Sequence, residues 1–142
     1  MIERYELCRL IPHSGSMCLL DRVLEWDSRD ILCETNSHLV RTNPLYSEGE
    51  LSSVAAIEYG AQAMAIHGSL LSSKQTTEMQ KSYLAAIRDV KFGVSWLHDI
   101  NHPLTVRAER LLGDSQGMIY QFSLHALSRL LVQGRITVMM SS

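Results

Sequence analysis

The 142-residue sequence predicts an α+β domain in which an antiparallel sheet curves around one buried helix. Three observations predict it. The run from Leu51 to Leu71 has no proline, is rich in alanine and carries almost no charge, and it reads as a helix. At about 100° per residue its apolar positions Val54, Ile57, Ala61, Met64, Ile66 and Leu70 point in nearly every direction, the pattern of a helix enclosed by protein. Before and after it lie strand-like runs, alternating or β-branched, whose short polar connections make neighbours antiparallel. A helix that is apolar on all sides needs a sheet wrapped around it and a further cover over what the sheet leaves open. Self-association would supply that cover.

The elements follow in order. Residues 1–16 contain a short amphipathic piece ending at Ile11-Pro12, and His13 to Ser16 reads as a loop. Met17 to Trp26 and Ile31 to Ser37 form a hairpin across the turn Asp27-Ser-Arg-Asp30. Residues 38–50 make a long polar connection with Asn43-Pro44 and Glu48-Gly49 turn signals, and loops of this length in compact domains often carry function. In the helix, Ala55, Ala56, Gly60, Ala61, Ala63, Ala65 and Gly68 keep the surface thin, so that another backbone can approach. Ser72 to Ser82 is polar and reads as an exposed loop. About four strands then close the chain: Tyr83–Val94 with a break near Arg88-Asp89, Leu104–Leu112, Met118–Leu127 after the turn Gly113–Gly117, and Arg129–Met140.

Composition narrows the function. The length fits a single domain over 1–142 with one core. A net charge of −2 and no cluster of basic and aromatic residues give no footprint for nucleic acid. Cys8, Cys18 and Cys33 are odd in number and scattered, which suggests neither a disulfide framework nor a structural metal and fits a reducing cytoplasm. The N-terminus lacks a basic segment followed by an apolar one, and the 51–71 helix is too rich in small and polar residues for a membrane span. Within that apolar helix stands one charge, Glu58. A glutamate is rarely buried without a partner or a task, so it is the first residue to explain.

Three segments, in order, resemble a known family. Leu10-Ile-Pro-His-Ser-Gly-Ser-Met-Cys-Leu-Leu-Asp-Arg-Val23, Ala56-Ile-Glu-Tyr-Gly-Ala-Gln62 and Tyr83-Leu-Ala-Ala-Ile-Arg-Asp-Val-Lys-Phe92 are similar to motifs of the hotdog-fold (3R)-hydroxyacyl-[acyl-carrier-protein] dehydratases of fatty acid biosynthesis. The helix Ala56 to Gly68 and the preceding Asn43-Pro44 resemble most closely the dehydratase-like hotdog subunit of bacterial aryl polyene pathways, a form of polyketide synthesis. The resemblance implies a dimeric hotdog fold and a lyase acting on a 3-hydroxyacyl chain carried by acyl carrier protein, with no metal or soluble cofactor.

Dehydration of such a thioester removes a weakly acidic proton at C2 and expels the hydroxyl at C3, so it needs a base and an acid. An apolar site keeps a carboxyl protonated for the second task, while a histidine serves the first. Backbone N–H groups at a helix start can polarise the thioester carbonyl. In the family's pattern the acid lies on the central helix, the histidine lies in a His-Phe-Pro motif before it, and each site takes the two groups from opposite subunits. The resemblance makes Glu58 the acid and places Gln62 one turn on, able to orient it. Ser53 falls on the helix-start glycine, so Ser53 and Gln62 are the expected substrate-binding positions. The family's histidine falls on Pro44, which cannot accept a proton.

Two sources of a base remain. One is His38, at the start of the same loop. The other, preferred because it explains both a retained carboxylate and a lost base, is a partner hotdog subunit that brings its own histidine to Glu58. The chain would then be half of a heterodimeric site; a homodimer is the alternative. Two rival functions stand beside it: a hotdog acyl thioesterase using Glu58 on water or the thioester, and a non-catalytic subunit that stabilises an active dehydratase. Plainer readings apply as well. Glu58 could pair with Arg88 or Arg107, Asp21 and Arg22 could pair locally or at an interface, the Met and Ala surface of the helix could be packing, and His67 reads as a hydrogen-bonded core or interface histidine rather than a base. His13 reads as a loop residue, and His98, His102 and His125 show no partner pattern.

Overall fold

The structure is a computed structural model that describes residues 1–11, 17–72, 82–114 and 116–140. Seven strands form one antiparallel sheet around a long helix. The elements are β1 (Ile2–Glu3), α1 (Arg4–Leu7), β2 (Arg22–Trp26), β3 (Asp30–Thr35), α2 (Ala56–Leu71), β4 (Ser82–Phe92), β5 (Leu104–Gly113), β6 (Gly117–Ala126) and β7 (Arg129–Met140). Their spatial order is β1-β2-β3-β5-β6-β7-β4, so the strand that follows the helix crosses to the far edge. This is the hotdog arrangement that the sequence resemblance implies. The loop at His13–Ser16 lies outside the described residues, as does nearly all of that read at 72–82.

Most strand limits fall where alternation places them. The expected break near Arg88-Asp89 is a bulge: the β4–β7 register shifts between Arg88 and Lys91, with Asp89 at φ 54°. The first strand departs from expectation, beginning at Arg22 rather than Met17. Cys18, Leu19 and Leu20 are buried in succession, which no half-exposed strand permits, and they form an extended strap instead. The N-terminal piece adds the two-residue strand β1, antiparallel to β2. In the β2–β3 turn, Asp27 Oδ1 accepts the amides of Arg29 and Asp30, both at 2.8 Å. Those two bonds hold its carboxyl below the usual range.

The disulfide expectation is corrected. Cys8, in the 3₁₀ turn after α1, and Cys18, in the strap, are joined, with Cα atoms 5.7 Å apart. Scattered spacing conveyed nothing because the pairing is made by the strap folding back over the N-terminal turn. Cys33 is free and fully buried, and burial pushes its thiol up to about 12.

The core lies between the sheet's concave face and α2, built from Ile31, Val106, Ala108, Tyr120, Phe122, Leu124 and Ile136 against Tyr59, Ala63 and Ile66. Gly60 makes the closest approach: a Cβ there would lie 2.5 Å from Phe122 Cγ. The same ring faces Gly134 on β7, where a Cβ would lie 3.0 Å from Cε1. The thin helix surface is therefore used on the sheet side, to admit an aromatic ring. On the opposite side the chain leaves α2 partly uncovered. Val54 is 59% exposed, and Ile57, Glu58, Ala61 and Ala65 are half-buried at helical spacing.

Candidate functional site around Glu58

Glu58 sits in the first turn of α2, at the edge of that uncovered stripe. It opens onto a cleft of about 410 Å³ lined by Leu45, Ser52, Val54, Ala55, Ile57 and Glu58 itself, and all but the two polar residues are apolar. No salt bridge reaches it among the described residues. Arg107 pairs with Asp30 instead, Arg22 with Glu34 at 2.7 Å, and Asp21 with Arg4 at 3.4 Å. Among the described residues its carboxylate accepts one hydrogen bond, from Gln62 Nε2 at 2.9 Å, one helical turn on, as the spacing predicts.

Gln62 is 5% exposed and fully committed. Its second N–H donates to Met17 O at 2.6 Å, and its Oε1 accepts Leu19 N at 2.9 Å. The strap on both sides of Cys18 thus fixes the carboxamide, and the carboxamide fixes the carboxylate. On the neighbouring face, Tyr59 Oη lies 2.8 Å from Ser37 Oγ and accepts Asn43 Nδ2 at 3.2 Å. Asn43 Oδ1 also accepts Leu45 N at 2.9 Å, so the Asn43-Pro44 turn is pinned to the helix beside the Glu58 cleft. Burial raises the Tyr59 phenol to about 12. It is a neutral strut.

The helix start is occupied internally. Ser53 N donates to Ser95 O at 2.9 Å, Val54 N to Ser52 Oγ at 3.1 Å, and Ala55 N to Ser52 O at 3.0 Å. Ser53 is itself 4% exposed, and it does not line the Glu58 cleft. Donors expected for a thioester carbonyl are thus already engaged within this chain.

Three histidines are placed by their bonds. His38 is fully buried, its Nε2 bonded to Ile100 O at 2.9 Å and its Nδ1 without a hydrogen-bond partner among the described residues. A carbonyl can only accept, so Nε2 carries the proton and Nδ1 the lone pair. Burial lowers the pKa of this ring, partly offset by the backbone of Ile100 and His102. It does not line the Glu58 cleft. His98, which sequence reasoning left without a role, accepts Leu51 N on Nδ1 at 3.0 Å. Its proton is therefore on Nε2, and it has no free lone pair to act as a base. His67 is a core residue as expected, between Tyr120 Oη at 2.5 Å and Asp27 O at 2.8 Å. Among the described residues no three His, Cys, Asp or Glu side chains gather as a metal site would require, and no helix is long and apolar enough to cross a membrane.

The sequence model of the ApeP-like family, described as ApeP dehydratase, matches residues 5–142. Among curated proteins no sequence matches the chain. Among solved structures, the dehydratase heterocomplex ApeI:P of Xenorhabdus doucetiae contains a chain 21% identical, with a TM-score of 0.84 over 96% of this chain and 91% of that one. A mutant thioesterase of Pseudomonas aeruginosa is 12% identical with a TM-score of 0.61, covering 84% and 79%. A hypothetical thioesterase of Streptococcus pneumoniae, solved with coenzyme A, is 9% identical with a TM-score of 0.63, covering 85% of each chain. At these identities the three structures share the hotdog fold with this chain.

Proposed function

We propose that this chain, which belongs to the ApeP-like dehydratase family, supplies the acid half of a two-subunit site that dehydrates 3-hydroxyacyl chains on acyl carrier protein. The observation that carries the reading is the environment of Glu58. Its carboxyl faces an open apolar cleft and is aimed by a buried glutamine, and no histidine is among the described residues that line the cleft. Pro44 stands in the family's histidine position, beside Leu45 of the cleft. The half-buried stripe Ile57, Glu58, Ala61 and Ala65 is the side of α2 that a second hotdog subunit would cover, and the ApeI:P neighbour is itself a heterocomplex.

In this scheme a histidine of the partner subunit takes the C2 proton. Glu58 gives its proton to the C3 hydroxyl, water departs, and an enoyl thioester remains. Since the amides of Ser53, Val54 and Ala55 are bonded within the chain, polarising the thioester carbonyl also falls to the partner. His38 as base, within one chain, is the less supported arrangement: its free Nδ1 is enclosed and away from the cleft. The site works without a metal or soluble cofactor, and we place it in the cytoplasm in aryl polyene synthesis.

The test is to assay the purified chain on a 3-hydroxyacyl-carrier-protein, alone and with a hotdog dehydratase subunit that retains the histidine. Enoyl product is expected only from the mixture. If the chain alone dehydrates the substrate and Glu58→Gln still does so, both the acid assignment and the partner reading fail. Free thiol released from an acyl thioester without enoyl product decides for a thioesterase.

A further inference from the structure

We propose that Cys8 and Cys18 form a thiol–disulfide clasp that sets the position of Glu58 through Gln62. The path is short and continuous. Cys18 lies between Met17 and Leu19, and the two backbone groups that hold the Gln62 carboxamide are Met17 O at 2.6 Å and Leu19 N at 2.9 Å. The remaining Gln62 N–H reaches Glu58 Oε2 at 2.9 Å. Both N–H donors and the oxygen of that carboxamide are engaged, so it cannot follow a moving strap and keep its hold on Glu58. The disulfide ties Cys18 to Cys8, whose 3₁₀ turn is anchored to the far end of α2 by Ser69 Oγ donating to Leu10 O at 2.8 Å. Both ends of the clasp therefore rest on the helix that carries the carboxylate.

Opening the clasp takes two molecules of a low-molecular-weight thiol. Cys18 is 2% exposed and Cys8 is half-buried, so the first thiolate attacks the Cys8 sulfur. The Cys8–Cys18 bond breaks, a mixed disulfide forms at Cys8, and Cys18 leaves as a thiolate that takes a proton. The second thiol molecule attacks the mixed disulfide and releases Cys8, which is also protonated. Two electrons and two protons have passed to the protein, and the reductant is left as its own disulfide. Cys33, fully buried with its thiol pushed up to about 12, takes no part. With the bond broken, the strap loses its covalent stop, and the coupling predicts a looser Gln62 and a Glu58 that leaves its aimed position. The clasp acts on geometry, so it stands whether or not Glu58 donates a proton in catalysis.

The experiment compares the intact, isotope-labelled chain with and without a dithiol reductant. Alkylation after unfolding should label one cysteine in the first state and three in the second. On reduction, hydrogen exchange at the Leu19 amide should quicken by about tenfold or more, and the Gln62 carboxamide protons should move toward free side-chain positions, while the Phe122 amide on β6 keeps its rate. Cys8→Ser should reproduce the reduced behaviour and ignore the reductant. Three results would overturn the proposal: thiols at Cys8 and Cys18 that stay unpaired even with a small disulfide oxidant, identical Leu19 and Gln62 signals in both states, or equal loss of protection at every core amide, which would mark an ordinary staple.

Discussion

Replacing Gly60 by alanine tests how closely α2 is packed on the sheet. The added Cβ would stand 2.5 Å from Phe122 Cγ, 2.7 Å from Cδ2 and 2.9 Å from Cβ. Carbon contacts are comfortable at about 3.5 Å or more, so helix and ring must separate by about 1 Å. The contact is at the root of the ring, where a side-chain rotation cannot relieve it, and Gly134 backs the ring's other edge. Overpacking of this kind costs about 3 kcal/mol at the upper end of its range, against about 1 kcal/mol regained because alanine favours a helix over glycine. The expected net loss is about 2 kcal/mol, or a Tm lower by about 6 °C for a domain of this size. Urea and thermal unfolding of Gly60→Ala would measure it, with Phe122→Ala as the second arm of a double-mutant cycle. Phe122→Ala removes Cγ and Cδ2, the two atoms nearest the added methyl, so in that background the substitution should cost much less than in the parent. A Gly60→Ala protein at least as stable as the parent would refute the packing argument.

Two further outcomes follow from the backbone and from His38. The β6–β7 hairpin turns on Leu127 and Ser128 at φ 50° and 70°, a conformation that glycine and asparagine adopt more readily, so Ser128→Gly should raise stability by about 0.5–1 kcal/mol in urea unfolding. Burial holds the His38 pKa below its ordinary 6.5. The unfolded chain therefore takes up that proton first, and stability should be intact above pH 6.5 and decline as pH falls below it, a component that His38→Gln removes.

Much of the fold was legible because it is written in local patterns. The alanine-rich run became α2, the alternation of Arg129 to Met140 became β7 without adjustment, and Arg88-Asp89 became a bulge. The Glu58–Gln62 bond was legible too, since helical spacing alone brings residues four apart together. What could not be read is what the strap does. Nothing local in Met17-Cys-Leu19 says that two of its backbone groups will grip Gln62, or that Cys18 will meet Cys8, because both follow from the strap lying across the N-terminal turn and the helix. The internal use of the Ser53, Val54 and Ala55 amides was hidden in the same way, in the meeting of the helix start with Ser52 and Ser95. Asn43-Pro44 gave a signal of a special loop. Its reason, the Tyr59 strut, needed the fold.

The most direct measurement is the dehydration rate of the chain combined with a histidine-bearing hotdog subunit, before and after Glu58→Gln in this chain. Glutamine keeps the shape of glutamate and gives up the acid, so the two subunits should associate as before while enoyl formation slows by about 10²-fold or more. An unchanged rate in that complex would contradict the assignment of Glu58 as the acid.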